Sequence, residues 1–395
     1  MRIRYLADIR FPLDRANGIQ TVETCYALAE RGHTVQLLVR PDTVRPPRDP
    51  FAFYAVAPHA RLLVQRARVF GPAPVRRMAY LANACVAVAT MRGRTDVVMT
   101  RDLGVASVLL RLPRSVRPPL VYESHGFAPV VAATMPELVS GAVAASRSKL
   151  RRLLAREERV WRLAEGYVTI TKGLAVELAD RFGDRDAVMA IADGVRLDPQ
   201  RRFIPPRQRG SPVVAYAGHL YPWKGVDVLL HALALLPDVR GSIIGGHPSE
   251  GDLARLQSLA STLGIEERVT FAGFVHRSMV PALLEQADVL VMPHSATPVS
   301  ERYASPLKLF EYMGAGKPIV ASDLPAVREV LRDGENACLV RPADPKDLAS
   351  GIAAVLGNQS LAERIARTAF AEAASYTWER RAEQLDRLLE IAVRS

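Results

Sequence analysis

Short apolar runs alternate with amphipathic stretches along nearly the whole chain. Residues 2–6 and 34–39 are apolar runs of strand length. Between them, Gly18 to Arg31 repeats its apolar positions at helical spacing and stops at Gly32. Strand, loop, helix, strand is the opening of a parallel sheet. The alternation continues through a helix at 75–91, strand Asp96 to Thr100, helix Val105 to Leu112 and strand Leu120 to Glu123. A helix at 146–164, strand Tyr167 to Thr171 and helix Gly173 to Arg181 complete the series. Residues 41–74 are rich in proline and arginine and carry no clear period.

Asp193-Gly194-Val195 marks a change, and Gln200 to Gly210 is basic, proline-rich and aperiodic, as linkers are. A second series follows. It has strands at Val213 to Ala217, Ser242 to Ile244, Val269 to Ala272, Val289 to Met292, Ile319 to Ala321 and Ala337 to Val340. Its helices lie at Gly225 to Leu236, Asp252 to Leu263, Val280 to Gln286, after Ser305, and near Ala326 to Leu331. The expectation is an α/β chain of two doubly wound, Rossmann-like domains facing a cleft, at 1–195 and 196–376. A C-terminal helix at 377–395 is free to pack back on the first.

Totals sharpen this in a few places. The 395 residues exceed one ordinary core. A formal net charge of +11 suggests an anionic partner. Nucleic acid is not expected, because aromatics are 6% of the chain and do not interleave with the arginines. No apolar run approaches the ~20 residues of a membrane span. The chain starts directly on a strand, so no leader is expected, and a cytoplasmic location follows. Cys25, Cys85 and Cys338 are odd in number and far apart, which reads as reduced core thiols. The 146–164 helix is basic, with Leu150, Leu153, Leu154, Val160, Trp161 and Ala164 roughly on one stripe. It could rest on the inner, anionic face of a membrane, or simply pack on its sheet with a solvated basic face.

Chemistry gathers at sheet edges. Ser305-Pro306 reads as a helix start, with a hydroxyl cap followed by proline at the first position, and Gly316 before Pro318 as its stop. Leu307, Phe310 and Met313 share one face of that helix, and Lys308, Glu311 and Ala315 another. A helix N-terminus attracts phosphate and a carboxylate accepts from a sugar diol. A surface helix with one Lys–Glu pair would give the same pattern. Gly218-His219-Leu220-Tyr221-Pro222-Trp223-Lys224-Gly225 follows the first strand of the second series, where glycine allows close backbone approach and Lys224 could meet a phosphate. His125 follows a strand end, and Asn17-Gly18 sits in the first strand–helix loop; a strand-capping His and an ordinary turn are the plainer readings. Asp184-Arg185-Asp186 reads as a solvated turn.

The Gly218 to Leu230 and Ser305 to Pro318 stretches resemble the donor-site signatures of retaining GT-B glycosyltransferases of family 4. Asp193-Gly194-Val195, Gly273-Phe274 and the His125 loop fit the same pattern, so the resemblance spans roughly 1–375. It implies transfer of a sugar, with retention, from a nucleoside-diphosphate sugar to an acceptor hydroxyl of unspecified identity, without metal or cofactor. Glu311 would hold the ribose. Backbone N–H groups at Ser305, Pro306 and Leu307 would bind the diphosphate with Lys224, beside Gly218, His219 and Lys308. Phe274 would meet the base, His125 the reacting sugar, and Gly18 the acceptor or phosphate side. His125, Lys224 and Glu311 are thereby the expected catalytic set.

Two departures stand out. The usual Glu-x7-Glu spacing puts Tyr303 at the first carboxylate's place, with Glu301 two residues off, and His219 stands where an arginine often pairs with the lysine. Two other readings remain open: a sugar-nucleotide epimerase of similar fold, for which no convincing second acid–base set is present, and a non-catalytic binder of anions or nucleic acid.

Overall fold

A computed structural model describes residues 1–90, 93–139, 141–206, 210–247 and 251–395. Met91, at the end of the expected 75–91 helix, and Arg207, Gln208 and Arg209 of the expected linker lie outside the described residues. The chain divides into two compact units. One comprises Met1–Pro129, Ser146–Asp193 and Trp378–Ser395; the other comprises Val130–Ala145 and Gly194–Thr377.

The first unit is built on β1 (Arg2–Arg10), β2 (Thr34–Arg40), β3 (Leu62–Arg66), β4 (Val97–Thr100), β5 (Leu120–Ser124), β6 (Gly166–Thr169) and β7 (Val188–Ala190). All pair in parallel, in the order β3-β2-β1-β4-β5-β6-β7, with Tyr5 opposite both Leu37 and Met99. β4, β5 and β6 are buried at every position, as strands covered by helices on both faces must be. The order reverses between β1 and β4, which places the loops after those strands at the switch point.

The C-terminal helix Trp378–Arg394 packs on the helix Ala16–Glu30 and on β6. It buries Trp378, Arg381, Ala382, Leu385, Leu388, Leu389 and Ala392. Asp386 ties it to His33 at 2.6 Å and to Arg31.

The second unit repeats the plan with β8 (Val213–Ala217), β9 (Arg240–Ile244), β10 (Val269–Gly273), β11 (Val289–Met292), β12 (Ile319–Ser322) and β13 (Cys338–Val340). Its parallel order is β10-β9-β8-β11-β12-β13, with the switch between β8 and β11. Val214, Tyr216, Val289, Val291 and Val320 of the sheet close on Leu229, Leu230, Leu233, Leu348, Ile352 and Ile365 of its helices.

Several local readings change. The first helix begins at Ala16, so Asn17 and Gly18 lie in its first turn and not in the loop before it. On the helix Arg147–Leu163 the deeply buried positions are Glu157, Val160 and Trp161, whereas Leu154 is 42% exposed. The stripe is narrower than its leucines suggested, and a carboxylate occupies part of it. Arg185 is no solvated turn residue. Its guanidinium donates to the Ala164 carbonyl at 2.7 Å and lies 5.4 Å from the Trp161 ring centroid, while Asp184 and Asp186 are exposed.

Candidate functional site

In the second unit the candidate residues collect at the switch point. Just past β8 stands Gly218 at φ +140°, where a Cβ would lie 2.6 Å from Lys308 Nζ. Glycine is required there both by backbone conformation and by the lysine. Lys308 Nζ donates to Tyr216 Oη at 2.6 Å, and Tyr216 Oη donates to the His219 carbonyl at 2.5 Å. The His219 ring stacks on Tyr221 with centroids 5.0 Å apart. The turn Pro222–Lys224 then brings Lys224 Nζ to 3.6 Å from the Trp223 ring centroid. Gly225 at φ +68° lets the next helix, Val226–Ala234, start against the loop after β11. A Cβ on Gly225 would lie 1.8 Å from the Pro293 carbonyl.

Burial lowers the Lys224 ammonium to about 7. Burial, reinforced by the Lys224 charge and opposed by Glu311, pushes Lys308 well below its ordinary value. Two buried lysines whose charges disfavour one another favour the arrival of an anion. His294, just after β11, belongs to the same group. It is fully buried against Trp223, with ring centroids 5.2 Å apart, and neither ring nitrogen has a hydrogen-bond partner among the described residues. Burial first, then Lys224 and Lys308, hold it neutral. Sequence reasoning missed His294, although its place after a β11 proline at the switch point was a usable signal.

The helix bearing Glu311 runs Leu307–Ala315, and its N-cap is Pro306, with no side-chain cap. The helix thus starts one residue later than expected, with a proline and not Ser305 at the N-cap. A helix N-terminus is a suitable seat for an anion. Glu311 is half-buried and faces Arg277 at 3.9 Å, a partner that sequence reasoning also missed. Phe274, in the same loop as Arg277, is 51% exposed and meets His247 edge-on at 5.6 Å. Tyr303 is 2% exposed beneath the Arg302 guanidinium, and Glu301 lies one turn away on Pro298–Arg302. Gly218, His219, Lys224, Lys308 and Glu311 thus form one neighbourhood with the helix start, whereas Tyr303 is sealed.

In the first unit, His125 follows β5 with its side chain 20% exposed. Its Nε2 lies 2.6 Å from Glu123 Oε1. Glu123 is fully buried; the same oxygen accepts from the Gln20 amide and pairs with the Arg381 guanidinium, whose Nη2 lies 2.7 Å away. Arg381 also donates to the Ile191 and Ala192 carbonyls at 2.8 and 2.7 Å. Arg101 donates to Gln20 Oε1. Burial alone would raise the Glu123 carboxyl, but Arg381, His125 and Arg101 together hold it far below the usual range. Burial and Arg101 lower His125, against Glu123 and Asp193. Glu123 was visible in sequence as the residue two before His125 on one strand face; Arg381 was not. Gly18 also lies in this unit, inside the helix, where a Cβ would sit 2.3 Å from Tyr54 Oη. Its Nα donates to the Arg15 carbonyl at 2.8 Å, so close packing accounts for the glycine here.

Among the described residues no group of three or more His, Cys, Asp or Glu is placed to hold a metal ion, and no helix is long and apolar enough to cross a membrane.

The family model for glycosyl transferases group 1 matches residues 198–372, and that for glycosyltransferase family 4 matches residues 18–199. The D-inositol 3-phosphate glycosyltransferase of Mycolicibacterium smegmatis is 30% identical over 384 residues, covering 91% of this chain and 82% of that protein. The Nocardia farcinica protein of the same name is 30% identical over 286 residues, covering 68% of this chain. The phosphatidyl-myo-inositol mannosyltransferase of Mycobacterium tuberculosis is 34% identical over 265 residues, 65% of this chain and 61% of that protein. The chain spans 60% of the length of the Nocardia farcinica relative, and likewise 60% of that from Geodermatophilus obscurus. Among solved structures, sucrose-phosphate synthase of Thermosynechococcus elongatus superposes with a TM-score of 0.76 at 19% identity, over 99% of this chain and 98% of that one. Anabaena HepE, solved with UDP and glucose, gives 0.73 at 19% identity over 99% of both chains.

Proposed function

The chain belongs to the family 4 glycosyltransferases, with two doubly wound sheets of GT-B type, and from that premise we propose that it transfers a sugar, with retention, from a nucleoside-diphosphate sugar to an acceptor hydroxyl. One observation carries the reading. Lys224, Lys308 and the N-terminus of Leu307–Ala315 gather at the switch point of the second sheet, with Glu311 one turn along the helix. Charge develops on the departing diphosphate, and fixed cations and N–H dipoles stabilise it without reorganising. Glu311 accepts from the ribose hydroxyls, displacing its long 3.9 Å contact with Arg277. Phe274 offers an exposed ring to the base. No metal is needed in this scheme, so chelation by EDTA leaves the rate unchanged.

The test is release of free nucleoside diphosphate from a panel of UDP-, GDP- and ADP-sugars. D-inositol 3-phosphate and phosphatidylinositol serve as the first acceptor probes, on the strength of the relatives' names. One donor class is expected to turn over with a new glycosidic bond. Conversion of the sugar with its nucleotide retained would instead indicate an epimerase. No release from any donor, with tight salt-sensitive DNA binding, would indicate a non-catalytic binder.

The acceptor side includes a basic face. Leu154 and Leu163 are 42% and 49% exposed among the arginines of Arg147–Leu163. Burial, then Arg77, Arg152 and Arg111, lower the Arg156 guanidinium, opposed by Asp102, so cations outnumber the anion around it. This supports peripheral contact with an anionic bilayer.

A further inference from the structure

The reading above leaves unassigned the most buried charged cluster in the first unit, and it lies directly behind His125. An ionised carboxylate can only accept hydrogen bonds. Glu123 Oε1 lies 2.6 Å from His125 Nε2, so the proton on that bond belongs to the imidazole. The Gln20 amide cannot supply it. Gln20 Oε1 accepts from Arg101, so its Nε2 faces Glu123, and the 3.0 Å approach of Nε2 to His125 is a side contact within the same cluster. Neutral His125 is therefore the Nε2–H tautomer, and Nδ1 is a lone pair that makes no hydrogen bond among the described residues.

What holds Glu123 ionised at full burial is a cation from the far end of the chain. Arg381 is 2% exposed on the C-terminal helix, and both its position and its direction are set by the Ile191 and Ala192 carbonyls. We propose that Glu123 and Arg381 are positioning residues for the transfer reaction: the pair locks His125 in the tautomer that offers Nδ1 as an acceptor to a substrate hydroxyl. The inference rests on the reading that His125 faces the reacting sugar. At Nδ1, neutral His125 accepts a hydrogen bond from the substrate hydroxyl and does not donate one.

A pH signature follows. His125 is faced by Glu123 from β5, Gln20 from Ala16–Glu30, Arg101 after β4, Asp193 after β7 and Arg381 from the C-terminal helix. Protonation would turn Nδ1 into a donor, so turnover falls on the acid side as His125 charges. Glu123→Gln removes a partner that favours the charged ring, so the acid limb of the turnover profile moves to lower pH.

The experiment combines ring 15N spectra of labelled protein across pH with steady-state turnover on the donor panel. Wild type is expected to show the Nε2–H tautomer at His125. Glu123→Gln should give a mixed tautomer, a kcat lower by about ten- to a hundredfold and a donor KM within about twofold. Arg381→Lys should restore part of the rate that Arg381→Met loses. If Arg381→Met does not fold, Glu123→Gln with Arg381→Met removes both charges together, and it should fold yet remain slow. Wild-type kcat in that double variant, or an unchanged tautomer and acid limb in Glu123→Gln, would overturn the inference. Full turnover in His125→Ala would instead remove the reading beneath it, and the tautomer measurement would then stand as structure only.

Discussion

Burial brings the Lys224 ammonium to about 7. An arriving anion restores the charge, so above pH 7 nucleotide binding must take up a proton. UDP, or whichever diphosphate the panel identifies, should bind about tenfold more weakly per pH unit from 7 to 9 through this group. Lys224→Met should remove that share of the slope and lower affinity at pH 6.5; calorimetry in buffers of different ionisation heat would measure both. Glu157 works in the opposite direction. Burial raises its carboxyl from 4.5 to about 7, against hydrogen bonds from the Ala128 amide and Tyr167 hydroxyl. A raised folded-state value means the benefit of the bound proton is complete below 4.5 and is lost as pH climbs toward 7. Glu157→Gln should therefore stabilise the first unit at pH 8 by about 2 kcal/mol, a few degrees in melting temperature, and change little near pH 4.5. Equal melting shifts at both pH values would show that ionisation of Glu157 is not what costs stability.

Among elements, the helix Leu307–Ala315 carries most of the proposed donor chemistry, and it was legible because its signals are local. A glycine stop, a proline near the start and a Lys–Glu pair three apart all lie within one short stretch. Glu311→Ala should weaken nucleotide binding by about 1.5–3 kcal/mol, the value of hydrogen bonds to a charged group, with an unchanged melt; undiminished affinity would detach the ribose from this carboxylate. The start of the helix was misjudged because a Ser-Pro pair fits both the cap and the position before it. β3 and β7 escaped notice for another reason. Edge strands need no long apolar run: Leu62–Arg66 buries only Leu62 deeply, and Val188–Ala190 is three residues long. The basic helix was recognised, but its buried stripe was placed one position wide, since nothing in sequence shows that Glu157 would find Tyr167 and Ala128 inside. Its outward face makes a further prediction. The protein should float with vesicles containing phosphatidylglycerol and not with pure phosphatidylcholine, and Arg151→Glu with Arg152→Glu should abolish flotation while sparing UDP binding. Equal flotation on both vesicles would leave the face without an anionic partner.

At the scale of the molecule, the chain closes on its beginning. The last helix belongs to the first unit, with Leu385, Leu388 and Leu389 fully buried there and Arg381 beside Glu123. No local pattern in residues 378–395 distinguishes this docking from packing on the second unit, because an apolar stripe names a buried face and not its partner. The energetics make the docking obligatory. Three buried leucines contribute roughly 1.5–3 kcal/mol each. Removing Arg381 leaves a fully buried carboxylate uncompensated, at a further cost of about 3–5 kcal/mol. Together these are comparable with the roughly 5–15 kcal/mol that holds a domain folded. A chain stopped after Thr377 should therefore lose amide protection in β1, β4, β5 and β6 while β8, β11 and β12 stay protected, as read by hydrogen exchange. Protection persisting in β4 and β5 of the shortened chain would mean that the first sheet does not depend on the helix, and that the Glu123 charge finds another partner.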